Sequence, residues 1–112
     1  MQQDDLLYLG HMLDMARKAW VRVAELDRDR YDNDEDLRLA LVHLVQVIGG
    51  AARRVSADGQ QAHPEIPWRE IIGMRNRIVH DYLGVDEDVV WEVASDDPPS
   101  LIAVLERIVP SD

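Results

Sequence analysis

Apolar residues recur at alternating intervals of three and four over the first segment: Leu6, Leu9, Leu13, Ala16, Trp20 and Val23. That spacing is the stripe of an amphipathic helix packed in a bundle. Met12 and Ala19 widen the stripe, while Asp14, Arg17, Lys18 and Arg22 fall outside it. Asp27 to Asp32 is charged and has no apolar rhythm, so a connection is expected there. A second helix begins at Asn33 or Asp34, either of which is a good N-cap, and Asp34, Glu35 and Asp36 complement the positive end of its dipole. Its stripe is Leu37, Leu41, Leu44, Ile48, Ala51 and Val55, with Val42, Val45 and Val47 making it apolar on more than one side. Such a helix is central in a bundle or faces a second subunit. Gly49-Gly50 within it costs roughly 1 kcal/mol per glycine relative to alanine, a cost that a close helix–helix approach would justify.

Residues 56–66 form a loop by composition. Pro67 is expected at the first position of a third helix, Trp68 to about Tyr82, with Ile71, Met74, Ile78 and Tyr82 along one side and Gly84 as its stop. Asp86 can cap a short fourth helix through Val89, Val90, Trp91 and Val93. Asp97 before Pro98-Pro99 opens a fifth, which buries Leu101, Ile102, Leu105 and Ile108. There is no internal repeat, no low-complexity segment and no convincing strand. The pattern predicts an all-α fold, an antiparallel up-and-down helical bundle of four main helices plus a short additional one. One domain over residues 1–112 is expected, since two cores in a chain of this length would each be marginal.

Composition narrows the function classes. The chain is 46% hydrophobic and 30% charged, the balance of a globular protein, and its apolar runs are far too short to span a bilayer. Asp4 and Asp5 stand where a secretory leader would be basic and then apolar, and there is no cysteine, so a cytoplasmic protein is expected. The net charge of -10 argues against a protein that coats DNA or an anionic membrane. Only residues 53–80 are net positive, with Arg53, Arg54, Arg69, Arg75 and Arg77 against Asp58, Glu65 and Glu70. One basic window sits inside an acidic chain.

The residues with chemical potential lie at the end of that window, in Arg75-Asn76-Arg77-Ile78-Val79-His80-Asp81-Tyr82. Asn76 and His80 are four apart and share a helix face. Arg75 and Tyr82, seven apart, nearly share another. Arg75 and His80 diverge by about 140° on an ideal helix. Their convergence requires Arg75 to reach around, the last turn to loosen near Gly84, or a second subunit to complete the cleft. The set suits RNA cleavage without a metal or cofactor. An imidazole exchanges protons near neutrality, and a guanidinium offers paired donors to a phosphate as negative charge develops. Asn76 can orient the ring, and Tyr82 can bind phosphate or stack on a base. The alternative is structural: Arg, His and Tyr near a helix C-terminus cap carbonyls and complement the dipole.

The stretch from Trp68 to Asp86, followed by Val89-Val90-Trp91-Glu92-Val93, resembles the HepT toxin ribonucleases of the HEPN superfamily. The motif there is an Arg, a polar residue, three more, a His, one residue and a Tyr, and Arg75, Asn76, His80 and Tyr82 occupy those positions. The resemblance implies a homodimer of helical bundles with two motifs facing a shared cleft, and a metal-independent endoribonuclease of the Arg–His type. It also implies an MntA-type nucleotidyltransferase antitoxin that transfers AMP onto Tyr82. The added nucleotide would place bulk and negative charge where RNA phosphate must sit. A competing expectation, from another class, is a non-catalytic nucleotide- or partner-binding subunit of a nucleotidyltransferase complex.

Other features carry less. No histidine follows an acid by three positions, so the Glu-x-x-His pattern of di-iron bundles is missing. His11 and His43 read as partly exposed helix residues, and His63 as loop. Trp20, Trp68 and Trp91 read as packing residues. Arg53-Arg54 is either a solvated helix end, a surface for the antitoxin or, together with Arg77, part of an RNA-binding track.

Overall fold

The computed structural model describes residues 4–80, 90–91 and 98–110. The first apolar stripe folds as α1, Asp5–Val23, and buries Leu9, Met12, Leu13, Ala16, Ala19 and Val23. The buried arc is rotated slightly from the expected one. Met12 and Ala19, expected at the margin, are fully buried, whereas Leu6 is exposed and Trp20 half-buried.

Asp27–Asp32 is a correction. Instead of an irregular connection, residues Arg28–Asp32 form a short helix, α2. Asp27 accepts a hydrogen bond from the Arg30 N–H at 2.9 Å, and Arg28 pairs with Asp32 at 2.8 Å one turn on. Tyr31, the single aromatic of the segment, is fully buried. A lone anchor leaves no periodicity to detect, but a capped turn around it is enough to fold.

The second long helix is α3, Glu35–Arg54, capped by Asp34 through a 3.0 Å hydrogen bond from the Leu37 N–H. It packs on α1 along nearly its whole length and on α5 (Trp68–His80) across its second half, so it is central, as its broad apolar surface requires. Residues 56–66 hold a second correction. Ser56 caps a helix, α4, Ala57–Ala62, by accepting from the Gly59 N–H at 3.0 Å. Gln60 turns back to donate to the carbonyl oxygens of Ala52 and Val55 at the end of α3, the former also accepting the Val55 N–H. The polar composition of this segment is that of two abutting helix ends.

α5 starts one residue after Pro67, whose carbonyl accepts the Ile71 N–H at 3.1 Å. Trp68 anchors this start, its indole N–H donating to the His63 carbonyl at 3.0 Å. Ile78 is buried on α5 and Ile71 and Met74 are half-buried. Gly84, Asp86 and most of the short helix expected around Val89–Val93 lie outside the described residues. Val90 and Trp91 are helical, and the Trp91 ring sits 5.0 Å from that of Tyr31. The last helix, α6, Pro98–Ile108, packs on α1 through Leu101 and Leu105. The expected cap Asp97 lies outside the described residues. The fold is all-α, and no strand occurs among the described residues.

Two contacts fix how these helices meet. The first lies at Gly49, where a Cβ would overlap the Cβ of Arg75 and come within 3.0 Å of the Ile71 carbonyl oxygen. Only hydrogen at this position lets α5 lie so close on α3, which accounts for one of the two glycines. The second is Asp5, 1% exposed, which accepts from the Ser56 N–H at 2.8 Å and the Ser56 hydroxyl at 2.6 Å. Gly59 lies against this carboxylate, where a Cβ would overlap it. The clasp ties the start of α1 to the corner between α3 and α4.

The adjacent glycines make a matched pair for measurement. Gly49→Ala lowers the unfolding free energy by about 1–2 kcal/mol despite the better helix propensity of alanine, because backbone must move. Gly50→Ala, whose Cβ meets no atom, raises it by about 0.5–1 kcal/mol. Urea unfolding of both variants checks the opposite signs. In the same assay Asp5→Ala loses about 2–4 kcal/mol, since the Ser56 donors are left without their acceptor.

Candidate functional site

Of the expected site residues, Arg75, Asn76, Arg77 and His80 stand on the last two turns of α5. Its upstream neighbours Ile71 and Arg75, four apart, form the row that meets α3, so the stem of Arg75 is half-buried against Gly49. Arg75 therefore starts on a face turned away from Asn76 and His80. Its guanidinium does not stay there. Nη1 donates to Asn76 Oδ1 at 3.2 Å, which carries the charged head around the helix toward the exposed face bearing Asn76.

This bond fixes the amide chemically. Arginine only donates, so Asn76 must present its oxygen to Arg75, leaving its NH₂ as the free donor. A positive fork and an amide donor thus share one exposed strip. The α-helix remains regular to His80. The turn near Gly84, where loosening was expected, lies outside the described residues, and Arg75 reaches around the helix as far as Asn76. Four-residue spacing puts His80 one turn beyond Asn76 in the same row. The His80 side chain and all of Tyr82 lie outside the described residues.

Arg77 is also exposed, but two residues on from Arg75 it stands nearly opposite around the helix, at the edge of a groove between α5 and α6. Arg53 and Arg54 are exposed in the last turn of α3. The basic window therefore supplies separate patches of positive charge. His11 and His43 are exposed, and His63 is half-buried with Nδ1 3.8 Å from Glu65. Among the described residues no group of three or more His, Asp or Glu side chains is arranged to hold a metal ion. The tryptophans pack as expected, Trp68 against the main core and Trp20 and Trp91 against the smaller one around Tyr31. No helix among the described residues is long and apolar enough to cross a membrane.

Two features of the site were missed from sequence. A close helix approach at Gly49-Gly50 was expected, but not that Arg75 is what seats on Gly49, because the two are 26 positions apart along the chain. The groove beside Arg77 is formed by four helices and has no local signature.

Comparison with known proteins places this geometry in a family. The family model described as "Ribonuclease HepT-like" matches residues 12–108. The chain is 27% identical over 107 residues to "Putative RNase MJ1380" of Methanocaldococcus jannaschii, covering 96% of this chain and 98% of that protein. It is 37% identical over 75 residues to "Probable ribonuclease HepT" of Thermococcus cleftensis, covering 67% of this chain and 68% of the relative. It is 32% identical over 106 residues to "Putative RNase MJ0125" of Methanocaldococcus jannaschii, covering 95% and 85%. No solved structure matches the chain. A bundle with Arg75 and Asn76 joined at the end of its fifth helix, matched over nearly its full length, belongs to the HepT-like ribonuclease family.

Proposed function

We propose that this protein is the toxin of a toxin–antitoxin pair, an endoribonuclease that cleaves RNA without a metal. The observation that carries the proposal is the Arg75–Asn76 hydrogen bond, which holds a guanidinium on the helix row that continues to His80. Cations so placed at the end of a helix could serve as caps. Arg75, however, donates to an exposed side chain and, among the described residues, not to a carbonyl at the helix end.

In this mechanism Arg75 grips the scissile phosphate through its remaining N–H groups, and the Asn76 amide adds a donor. His80 removes the proton of a ribose 2′-OH as that oxygen attacks phosphorus. The bond to the 5′-oxygen breaks, and that oxygen takes a proton from a second imidazole, supplied by a second copy of the chain across a twofold cleft. The products are a 2′,3′-cyclic phosphate and a free 5′-OH. The guanidinium is most useful in the transition state, where the equatorial oxygens carry the developing charge. In this reading Arg53 and Arg54, exposed at the end of α3, and Arg77, exposed on α5, add positive charge that holds the RNA backbone.

The antitoxin in this proposal is an MntA-type nucleotidyltransferase. The Tyr82 oxygen attacks the α-phosphate of ATP, pyrophosphate leaves, and the resulting diester adds a negative charge and an adenosine beside the phosphate grip. RNA is then repelled and excluded.

Purified protein incubated with RNA in excess EDTA tests the chemistry. Cleavage is expected from the wild type, and His80→Ala lowers the rate by about 10²–10⁴-fold, the range of positioned acid–base catalysis. Arg75→Ala is lost as well, with the helical circular dichroism of both variants intact. Full cleavage by His80→Ala, or intact RNA beside tight binding of the nucleotidyltransferase, refutes the ribonuclease. Tyr82→Phe cleaves RNA but gains no AMP when incubated with the nucleotidyltransferase and ATP, as peptide mass mapping reads directly.

A further inference from the structure

α5 packs on α3 and α6 packs on α1, and among the described residues a groove lies between α5 and α6. The groove is about 560 Å³, within the roughly 300–1,000 Å³ range of ligand sites. Its floor is apolar and made by small or branched side chains, Ala16 and Ala19 of α1 with Val45 and Ile48 of α3. Leu101 and Val104 of α6 form the far wall. The near wall is α5, where Gly73 removes a side chain from the middle, and a Cβ built there meets no atom of the protein within 4 Å. A helical glycine that nothing in the fold requires costs roughly 1 kcal/mol and leaves the groove wide at its centre.

The two ends of that wall differ in charge. Arg77 stands at the end next to Asn76, and the other end is lined by Glu65, Arg69 and Glu70, a set that is net negative, with Glu70 two turns back from Arg77. Seven residues apart, they are on nearly the same face, about 10 Å apart along the axis. Both are exposed, and neither makes a hydrogen bond or ion pair among the described residues. A cation and a carboxylate at that separation across an apolar floor complement a nucleotide, with a phosphate at one end and amino hydrogens at the other.

We propose that the groove between α5 and α6 is a base-binding subsite, taking one unstacked nucleobase of an RNA chain with its exocyclic amino group toward Glu70 and its phosphate toward Arg77. This rests on the ribonuclease function proposed above, and it names the bases the enzyme selects beside the cut: those with an amino group, over uracil. The base leaves water for the apolar floor, and the Glu70 carboxylate accepts from the amino N–H, as acidic side chains do from cytosine. Arg77 stands about 100° around α5 from Asn76, so the backbone of a strand whose base is seated here crosses one face of the helix to reach the strip that carries Asn76.

The test measures affinity for fluorescein-labelled oligo(C) and oligo(U) by anisotropy, with His80→Ala in every protein so that no strand is cut. The His80→Ala protein binds oligo(C) more tightly than oligo(U). Gly73→Leu, which fills the groove, weakens both by about tenfold, equivalent to keeping roughly 60 Å² of apolar base surface in water. Glu70→Ala weakens oligo(C) and removes its advantage. Simple electrostatics predicts the reverse sign, because deleting an acid should tighten RNA binding everywhere. Uniform tightening by Glu70→Ala, or unchanged affinity in Gly73→Leu, overturns the subsite. So does a change in molecular mass of Gly73→Leu in solution, which would mean that a second copy covers the groove. Circular dichroism and the melting temperature of Gly73→Leu, a substitution to a better helix former, confirm that the fold is intact. Groove-dependent RNA binding by a protein whose wild type cuts nothing refutes the catalyst and leaves the subsite standing. A protein that binds neither oligonucleotide refutes both.

Discussion

The approach of α5 to α3 at Gly49 is the constraint on which the remaining geometry depends. A missing side chain on the central helix lets the stem of Arg75 lie against backbone, and this sets both the depth and the rotation of α5. Once Ile71, Arg75 and Ile78 are turned toward the interior, the helix period places Asn76 outward and Arg77 beside α6. The cost of glycine in the middle of α3 is thus tied to the position of a charged side chain on another helix. Packing and chemistry share one contact.

That contact explains how three arginines can serve different ends in an acidic protein. Arg75 has its stem sheltered and its head bound to Asn76, Arg77 borders the apolar groove, and Arg69 lies two turns back along it. With a net charge of -10, the chain as a whole does not draw a polyanion from a distance. Any grip on phosphate must come from short-range, directional donors, and the planar guanidinium suits that task better than a mobile ammonium.

The long helices were legible in the sequence because burial on one face leaves a period, and the cap at Asp34 was legible because its chemistry is local. α2 and α4 were not. Each is about a turn long, held by a cap and by contacts to distant elements: Tyr31 to the smaller core, and Ser56 to Asp5. The slight rotation of α1 has the same origin, since Met12 and Ala19 were drawn inward by where the other helices settle. At the site, the motif positions could be read from Arg75 to Tyr82, and the 140° divergence of Arg75 from His80 was a correct consequence of helix geometry. The turn of the guanidinium onto Asn76 depends on which face of α5 meets α3, and no local pattern carries that information.

The Asp5 clasp bears on how the protein is made. Its acceptor is supplied at the start of α1 and its donors by Ser56, 51 positions later. While the chain emerges from the ribosome, neither of these two hydrogen bonds can form until α2 and α3 have been synthesised and Ser56 follows. Closure awaits the α3–α4 corner, and this couples α1 to a segment two helices further along the chain.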